Sequence, residues 1–176
     1  MLTTPEGLVL RHWRSGDAPA VLRAFAAEEM ARQAAGPVTT TAEALDWIAA
    51  RAAERDAGSG FSWAVVRDGA AVGTVAVNAV SHIHDTGWVS YWTTRSARGS
   101  GVAAAGVREL ARWAFAGLGL HRLELGHRTD NPASCAVALR AGFAPEGIER
   151  ARLRYGSERY DVERHARLAT DPVNFG

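Results

Sequence analysis

The chain has 176 residues and a mass of 18.8 kDa, enough for one domain with a core of its own. Hydrophobic residues make up 47% and charged residues 22%, which excludes a disordered chain. With 20 basic and 19 acidic residues the formal charge is +1, too small a field for a protein built around nucleic acid.

Leu8 to Trp13 reads as a first strand, and Ser15-Gly16-Asp17 then turns the chain. Asp17 is placed to cap a helix over Pro19 to Ala27, because a carboxylate accepts amide protons that have no acceptor at a helix start. Gly36-Pro37 breaks that region. Thr40-Thr41-Ala42-Glu43 fits a capping box, and the helix it opens runs to Asp56 with Leu45, Ile48 and Ala52 on one face. Phe61 to Arg67 is rich in strand formers, and Asp68-Gly69 signals a hairpin. Ala71 to Val80 is apolar on both sides and so reads as a central strand. Ser81 to Asp85 is a polar bend carrying His82 and His84, and Gly87 to Thr93 is the next strand.

A polar loop, Arg95 to Gly101, leads into a helix from Gly101 to Ala116 with Val102, Leu110, Trp113 and Ala114 inward. Gly117 and Gly119 end it. Arg122 to His127 is a strand, Asn131-Pro132 supplies an N-cap and first position for another helix, and Gly142 ends that helix. Phe143 to Arg152 and Glu158 to Leu168 are two final strands joined near Tyr155-Gly156-Ser157. The order is mixed α/β, an antiparallel meander entering a β-loop-helix-β unit, in a single domain over residues 1–176.

Absences narrow the chemistry. Every basic residue is Arg, which reads as GC-rich coding bias and leaves no Lys to act as Schiff base or general base. The one Cys excludes an internal disulfide and a multi-Cys zinc site, and no metal is expected. Met1 to Leu10 lacks a charged segment followed by an apolar run, and no window approaches about 18 uninterrupted apolar residues. The expectation is a cytoplasmic protein with no membrane partner.

The most informative stretch is Trp92-Thr93-Thr94-Arg95-Ser96-Ala97-Arg98-Gly99-Ser100-Gly101-Val102-Ala103, between a predicted strand and a predicted helix. Small residues let a ligand approach the backbone, the helix start presents unpaired amides, and Arg95 and Arg98 add cationic forks. This is the chemistry of a diphosphate cradle, although a plain glycine-bearing connection has the same composition. It is not a Walker loop, since Lys is absent, nor a dinucleotide fingerprint, which needs an acidic residue roughly 20 positions on. Asn131 and Ser134 open a helix directly after the strand Arg122 to His127, so they face the same rim of the sheet. Helix capping accounts for Asn131 equally well.

The chain resembles the GCN5-related N-acetyltransferase (GNAT) superfamily, and within it the branch of RimJ and RimL, which acetylates ribosomal-protein N-termini. The resemblance rests on Tyr91-Trp92 at a strand end, Arg98-x-x-Gly101-x-Ala103, Leu118 to Glu124, and Asn131-Pro132-Ala133-Ser134 through Leu139-Arg140-Ala141-Gly142-Phe143 with Glu146-Gly147. It spans Phe61 to Leu168. It implies a central, largely antiparallel twisted sheet of about seven strands, splayed at the cofactor site and flanked by about four helices. It also implies acetyl-CoA or another acyl-CoA as co-substrate and direct transfer to a primary amine, a protein N-terminus or a small amine.

By the same resemblance, Trp92 and Thr93 would pair with the pantetheine arm. Arg95 and the segment Arg98, Gly99, Ser100, Gly101, Val102 and Ala103 would hold the pyrophosphate. Asn131 would bond the pantetheine side, and Ser134 would protonate the departing thiolate. The family's carboxylate after the Glu-Gly pair falls near Leu153, which cannot titrate. His82 and His84 are therefore expected as the proton relay, against a reading as solvated loop histidines; Glu149 is a further candidate. Glu28 and Glu29 could greet a cationic acceptor. Trp63 and Trp113 read as core, whereas Trp13, Trp47, Trp88 and Trp92 could line the cleft. Cys135 reads as a small buried thiol. Exposed sheet edges leave room for a homodimer. The missing carboxylate supports an alternative, a non-catalytic acyl-CoA-binding module.

Overall fold

The computed structural model describes residues 1–27, 30 and 36–172. The strands are β1 (Leu2–Thr3), β2 (Val9–Arg11), β3 (Gly60–Arg67), β4 (Ala70–Ser81), β5 (Thr86–Thr93), β6 (Arg122–Arg128), β7 (Ala144–Tyr155) and β8 (Glu158–Leu168). The helices are α1 (Ala18–Phe25), α2 (Thr41–Asp56), α3 (Val102–Leu118) and α4 (Pro132–Arg140). The strands form one sheet in the order β1-β2-β3-β4-β5-β6-β8-β7, and every pairing is antiparallel except β5 with β6. The mixed α/β expectation holds. The extra strand is β1, two residues paired as Leu2↔Leu10 and Thr3↔Val9, too short to show a period in sequence.

The sheet is covered on both faces. Trp63 and Val65 of β3 pack with Val75, Leu110, Leu123 and Phe143 into one core beneath α3 and α4. Ala64 and Val66, pointing the other way, join a second core with Trp13, Phe25, Trp47 and Trp92 beneath α1 and α2. An unbroken apolar run such as Trp63–Val66 is what burial on both faces demands. Leu110 and Leu123 are fully buried, each contributing about 1.5–3 kcal/mol of transfer free energy.

Local signals explain most boundaries. Asp68 and Gly69 both take positive φ, 52° and 78°, as an Asp-Gly hairpin turn requires. Thr40 Oγ accepts the Glu43 amide at 3.2 Å, and Glu43 accepts the Thr40 amide at 2.8 Å, completing the capping box. Three expectations are corrected. Helix α1 ends at Phe25 rather than Ala27, and Asp17 does not cap it. The Asp17 carboxylate turns back to take two bonds from Arg11, at 2.7 and 2.9 Å, and one from the Arg14 amide at 2.9 Å. On α2 the inward residues are Ala44, Trp47 and Ile48, while Leu45 is exposed, because the Trp47 indole fixes which side meets Trp13 and Phe25. No helix of the described residues is long and apolar enough to cross a membrane.

Candidate active site

Strands β5 and β6 pair only over Thr86↔Arg122, Gly87↔Leu123 and Trp88↔Glu124. Beyond that vertex Val89–Thr93 and Leu125–Arg128 are not paired with one another, so the parallel ladder opens into a wedge. Glycine makes the vertex possible. A Cβ at Gly126 would lie 2.9 Å from Val162 Cγ1 and 3.1 Å from the Trp88 ring. The wedge leads into a cavity of about 500 Å³, within the range of small-molecule sites. Its wall is built from the end of β5, the start of α3 and one side of α4.

The α3 side supplies the cradle. Gly99 and Gly101 sit at φ 74° and 78°, where a side chain is strained, and a Cβ at either would meet no atom within 4 Å. The glycines therefore serve backbone shape and open space rather than packing. The first hydrogen bond of α3 runs from the Ala105 amide to the Gly101 carbonyl at 3.0 Å. The amides of Val102, Ala103 and Ala104 thus have no acceptor within the helix, and the positive end of the helix dipole faces the cavity. Arg98 stands on the same wall, and Arg140 enters it from the last turn of α4. Two guanidinium groups and a row of amides suit a diphosphate.

The α4 side supplies the polar atoms at the mouth of the wedge. Asn131 Oδ1 accepts the Ser134 amide at 3.1 Å, so Asn131 is the helix cap and also part of the wall. Ser134 lies on the wall one turn further in. Across the wedge, Tyr91 of β5 donates its hydroxyl proton to the Ser134 carbonyl at 3.1 Å. Burial pushes the Tyr91 hydroxyl pKa up, which keeps it protonated as a donor.

Of the residues expected from sequence, Trp92, Thr93, Arg98, Gly99, Gly101, Val102, Ala103, Asn131 and Ser134 are brought together on this wall. Arg95 and Ser100 are not. Arg95 lies exposed in a 3-10 turn. The Ser100 hydroxyl turns into its own loop, bonding the Ala97 carbonyl at 2.8 Å and accepting Arg67 at 3.1 Å. His82 and His84 are exposed in the turn between β4 and β5, at the opposite end of β5 from Thr93. The strand residues 86–90 separate that turn from Tyr91 on the cavity wall, roughly 17 Å, too far for a proton relay. Glu28 and Glu29 lie outside the described residues. Glu149 is held by Arg164 at 3.5 Å and Arg152 at 3.4 Å and does not line the cavity, nor does Leu153.

Among the tryptophans, Trp13 and Trp47 are buried behind Trp92 in an aromatic group with ring centres 5.1–6.3 Å apart. Only Trp92 of the six reaches the cavity. Trp88 packs beneath the Arg164 guanidinium, 4.4 Å from its ring centre. Trp63 is core, as expected, and Trp113 packs edge-on against it at 5.2 Å. Sequence reasoning passed over Tyr91, Arg140 and Val137. The last two belong to a stripe, Ala133, Ala136, Val137 and Arg140, spaced as one face of a helix, and that period was readable. A larger depression of about 690 Å³ lies beside the middle of α3, but there Glu109 and Arg112 neutralise one another at 2.5 Å and no opened ladder adjoins it.

The chain as a whole is similar to known proteins. A family profile described as acetyltransferase (GNAT) domain matches residues 7–144. The uncharacterized N-acetyltransferase YoaA of Bacillus subtilis is 26% identical over 160 residues, covering 89% of this chain and 90% of that protein. The ribosomal-protein-serine acetyltransferase of Escherichia coli is 29% identical over 97 residues, 55% of this chain and 54% of that protein. Mycobacterium smegmatis RimJ, solved in complex with a CoA disulfide, superposes with a TM-score of 0.84 at 25% identity, over 96% of this chain and 85% of that one. The matched span runs from β2 through α4, and on it the chain belongs to the GNAT acetyltransferases, as an enzyme that moves an acyl group from acyl-coenzyme A to an amine.

Proposed function

We propose that the enzyme acetylates a protein N-terminal amine by direct transfer in the β5–β6 wedge. The observation that carries this is the coincidence of three parts on one cavity wall: the unpaired edge of β5, the Gly99–Ala104 cradle, and Ser134. The family match supports the donor, and the ribosomal-protein relative supports the acceptor class. Bound acyl-coenzyme A supplies the thioester carbonyl that the amine attacks.

The chain's residues divide the remaining work. First-turn amides of α3, with Arg98 and Arg140, hold the diphosphate. Main-chain groups at Trp92 and Thr93 hold the extended arm as an added strand would. The Asn131 cap and the Tyr91 hydroxyl fix the first turn of α4, and Ser134 there delivers a proton to the leaving thiolate. Among the described residues on the wall, none is a carboxylate or a histidine. The acceptor's proton leaves through water at the mouth of the wedge. The proposal includes pairing of two copies along β7, the outer strand of the sheet, whose exposed edge invites it. The mass in solution checks that part.

Thermal shift with acetyl-CoA, succinyl-CoA and free coenzyme A tests the donor first, since a ligand at 100 times its Kd adds about 2.7 kcal/mol. Release of free thiol with peptides bearing Ser or Ala N-termini, against spermidine, then tests the acceptor. A shift with acetyl-CoA and turnover only on peptides is expected. A shift without turnover on any amine would leave a binding module in place of an enzyme.

A further inference from the structure

A second cluster of reactive side chains lies behind the wedge, and the reaction makes no use of it. In the β6–β8 ladder His127 stands opposite Glu163 and Leu125 opposite His165, so both imidazoles and the carboxylate project from one face. The first turn of α4 crosses that face and adds Cys135. His127 Nε2 is 3.1 Å from His165 Nε2, and the two nitrogens are 3.4 and 3.3 Å from Glu163 Oε2. All four candidate donor atoms, the Cys135 sulfur included, lie within 4.8 Å of one another. The side chains of His127 and His165 are 4% and 0% exposed.

The hydrogen bonds around the rings decide what the cluster can hold. His127 Nδ1 is 2.9 Å from the Arg128 carbonyl, and His165 Nδ1 is 3.3 Å from the Phe143 carbonyl. A carbonyl only accepts, so each Nδ1 carries the ring's proton. In that tautomer each ring turns its Nε2 lone pair toward the other ring and toward a carboxylate oxygen. Three acceptors converge on one point, and the neighbouring donor is the Cys135 thiol, bonded to Glu163. A single shared proton would satisfy one edge of that triangle, whereas a divalent cation at its centre satisfies all three.

Geometry and ligand chemistry agree. Nitrogen and oxygen ligands about 2.0 Å from a tetrahedral zinc ion are separated by roughly 3.3 Å; the edges among His127, His165 and Glu163 are 3.1, 3.3 and 3.4 Å, and the Cys135 sulfur lies within 4.8 Å of all three. Two imidazoles, a carboxylate and a thiolate suit zinc and not the oxygen-seeking calcium or magnesium. Backbone carbonyls on both Nδ1 atoms are the outer partners that fix ligating histidines. Glu163, 28% exposed, and the half-buried Cys135 leave a route in from solvent.

We propose that His127, Cys135, Glu163 and His165 form a tetrahedral site for zinc, or a transition metal of like preference. The site departs from the metal-free chain expected from sequence. It does not depend on the acetyltransferase reading, because none of the four residues lines the cleft. Metal binding exchanges the Cys135 thiol proton, released to solvent, for a sulfur–metal bond, with no oxidation. Its effect would be to staple the turn that carries Ser134 to β6 and β8.

The test uses the tag-free protein, stripped with chelator and titrated with zinc chloride and cobalt chloride. One zinc per chain is expected, with the visible bands of tetrahedral cobalt and a near-ultraviolet thiolate-to-cobalt band. Cys135→Ala, checked for folding by circular dichroism, should lose the near-ultraviolet band and weaken zinc binding at least about tenfold. Glu163→Gln should weaken binding while keeping that band. The proposal is overturned if the folded wild-type protein takes up neither metal at millimolar concentration. Uptake that persists unchanged in both variants overturns it too, since the metal would then sit elsewhere.

Discussion

Tyr91 and Ser134, 43 positions apart in the chain, are joined across the wedge by a hydroxyl-to-carbonyl bond of 3.1 Å. That bond crosses the opening where the β5–β6 ladder has stopped. Tyr91→Phe keeps the ring and removes the bond. Stability should fall by about 1 kcal/mol, which is about 2–4 °C in Tm for a chain of this size. If the bond also positions Ser134, kcat should fall roughly fivefold for the same energy. A melt and a steady-state assay on the variant check both, and a wild-type value in each would reduce the bond to a passive contact.

Two substitutions at Gly101 separate shape from charge. Gly101→Ala places a Cβ in open space but at φ 78°, so it should cost only about 1–2 kcal/mol of backbone strain and leave acetyl-CoA binding measurable. Gly101→Glu puts a carboxylate beside the diphosphate and should raise Kd at least about 100-fold. Calorimetry with acetyl-CoA reads the difference. Equal affinities would move the cradle away from this loop.

Ser134→Ala should lower kcat by about 100-fold while leaving the Kd for acetyl-CoA near its wild-type value. The helix start should survive, because the cap is Asn131 Oδ1 on the Ser134 amide, which the substitution keeps. Asn131→Ala should instead cost about 1 kcal/mol of stability. An unchanged kcat in the serine variant would assign the thiolate's proton to water.

The double variant His82→Ala, His84→Ala should keep activity within about twofold, as exposed turn residues far from a site do. Its pH–rate curve should overlay the wild type. A flattened curve would show that this turn reaches the acceptor in a state other than the one described here.

Acid should probe the α1 junction. Burial pushes the Asp17 carboxyl upward, but the bonds from Arg11 and the Arg14 amide outweigh it and hold its pKa below the usual carboxylate range. The stability this provides is complete above the unfolded value of about 3.9 and is lost as pH falls through the lower folded value. Asp17→Asn should cost about 1–3 kcal/mol at neutral pH and flatten that part of the acid titration. Urea melts at several pH values check it.

The sequence shows well what depends on neighbours along the chain. The capping box at Thr40, the Asp68-Gly69 turn and the Asn131-Pro132 helix start were all legible, because each is a few residues doing local chemistry. The open, glycine-shaped turn at Gly99 and Gly101 is legible for the same reason. What depends on partners from elsewhere was not. In sequence Asp17 fits a cap, because nothing along the chain shows Arg11 claiming its carboxylate. Leu45 was read as inward because only the packed Trp47 fixes the rotation of α2. His82 and His84 looked available because their distance from the cleft is set by the direction of β5, not by their composition. His127, Cys135, Glu163 and His165 come from three elements and show no spacing that a chain reading would gather.

The short β5–β6 ladder carries a consequence for how this enzyme could change over time. Where pairing stops after Trp88, the inner edge of Val89–Thr93 offers peptide N–H and C=O groups, which every amino acid but proline provides alike. Recognition written into the main chain cannot be erased by exchanging one side chain for another. A saturation scan of that edge's half-buried positions Ser90 and Thr93 would find most substitutions silent toward the donor and proline ruinous. Selectivity for the acceptor, resting on side chains around the same opening, would drift freely meanwhile. One half of the reaction is thereby insulated from mutation while the other stays open to it.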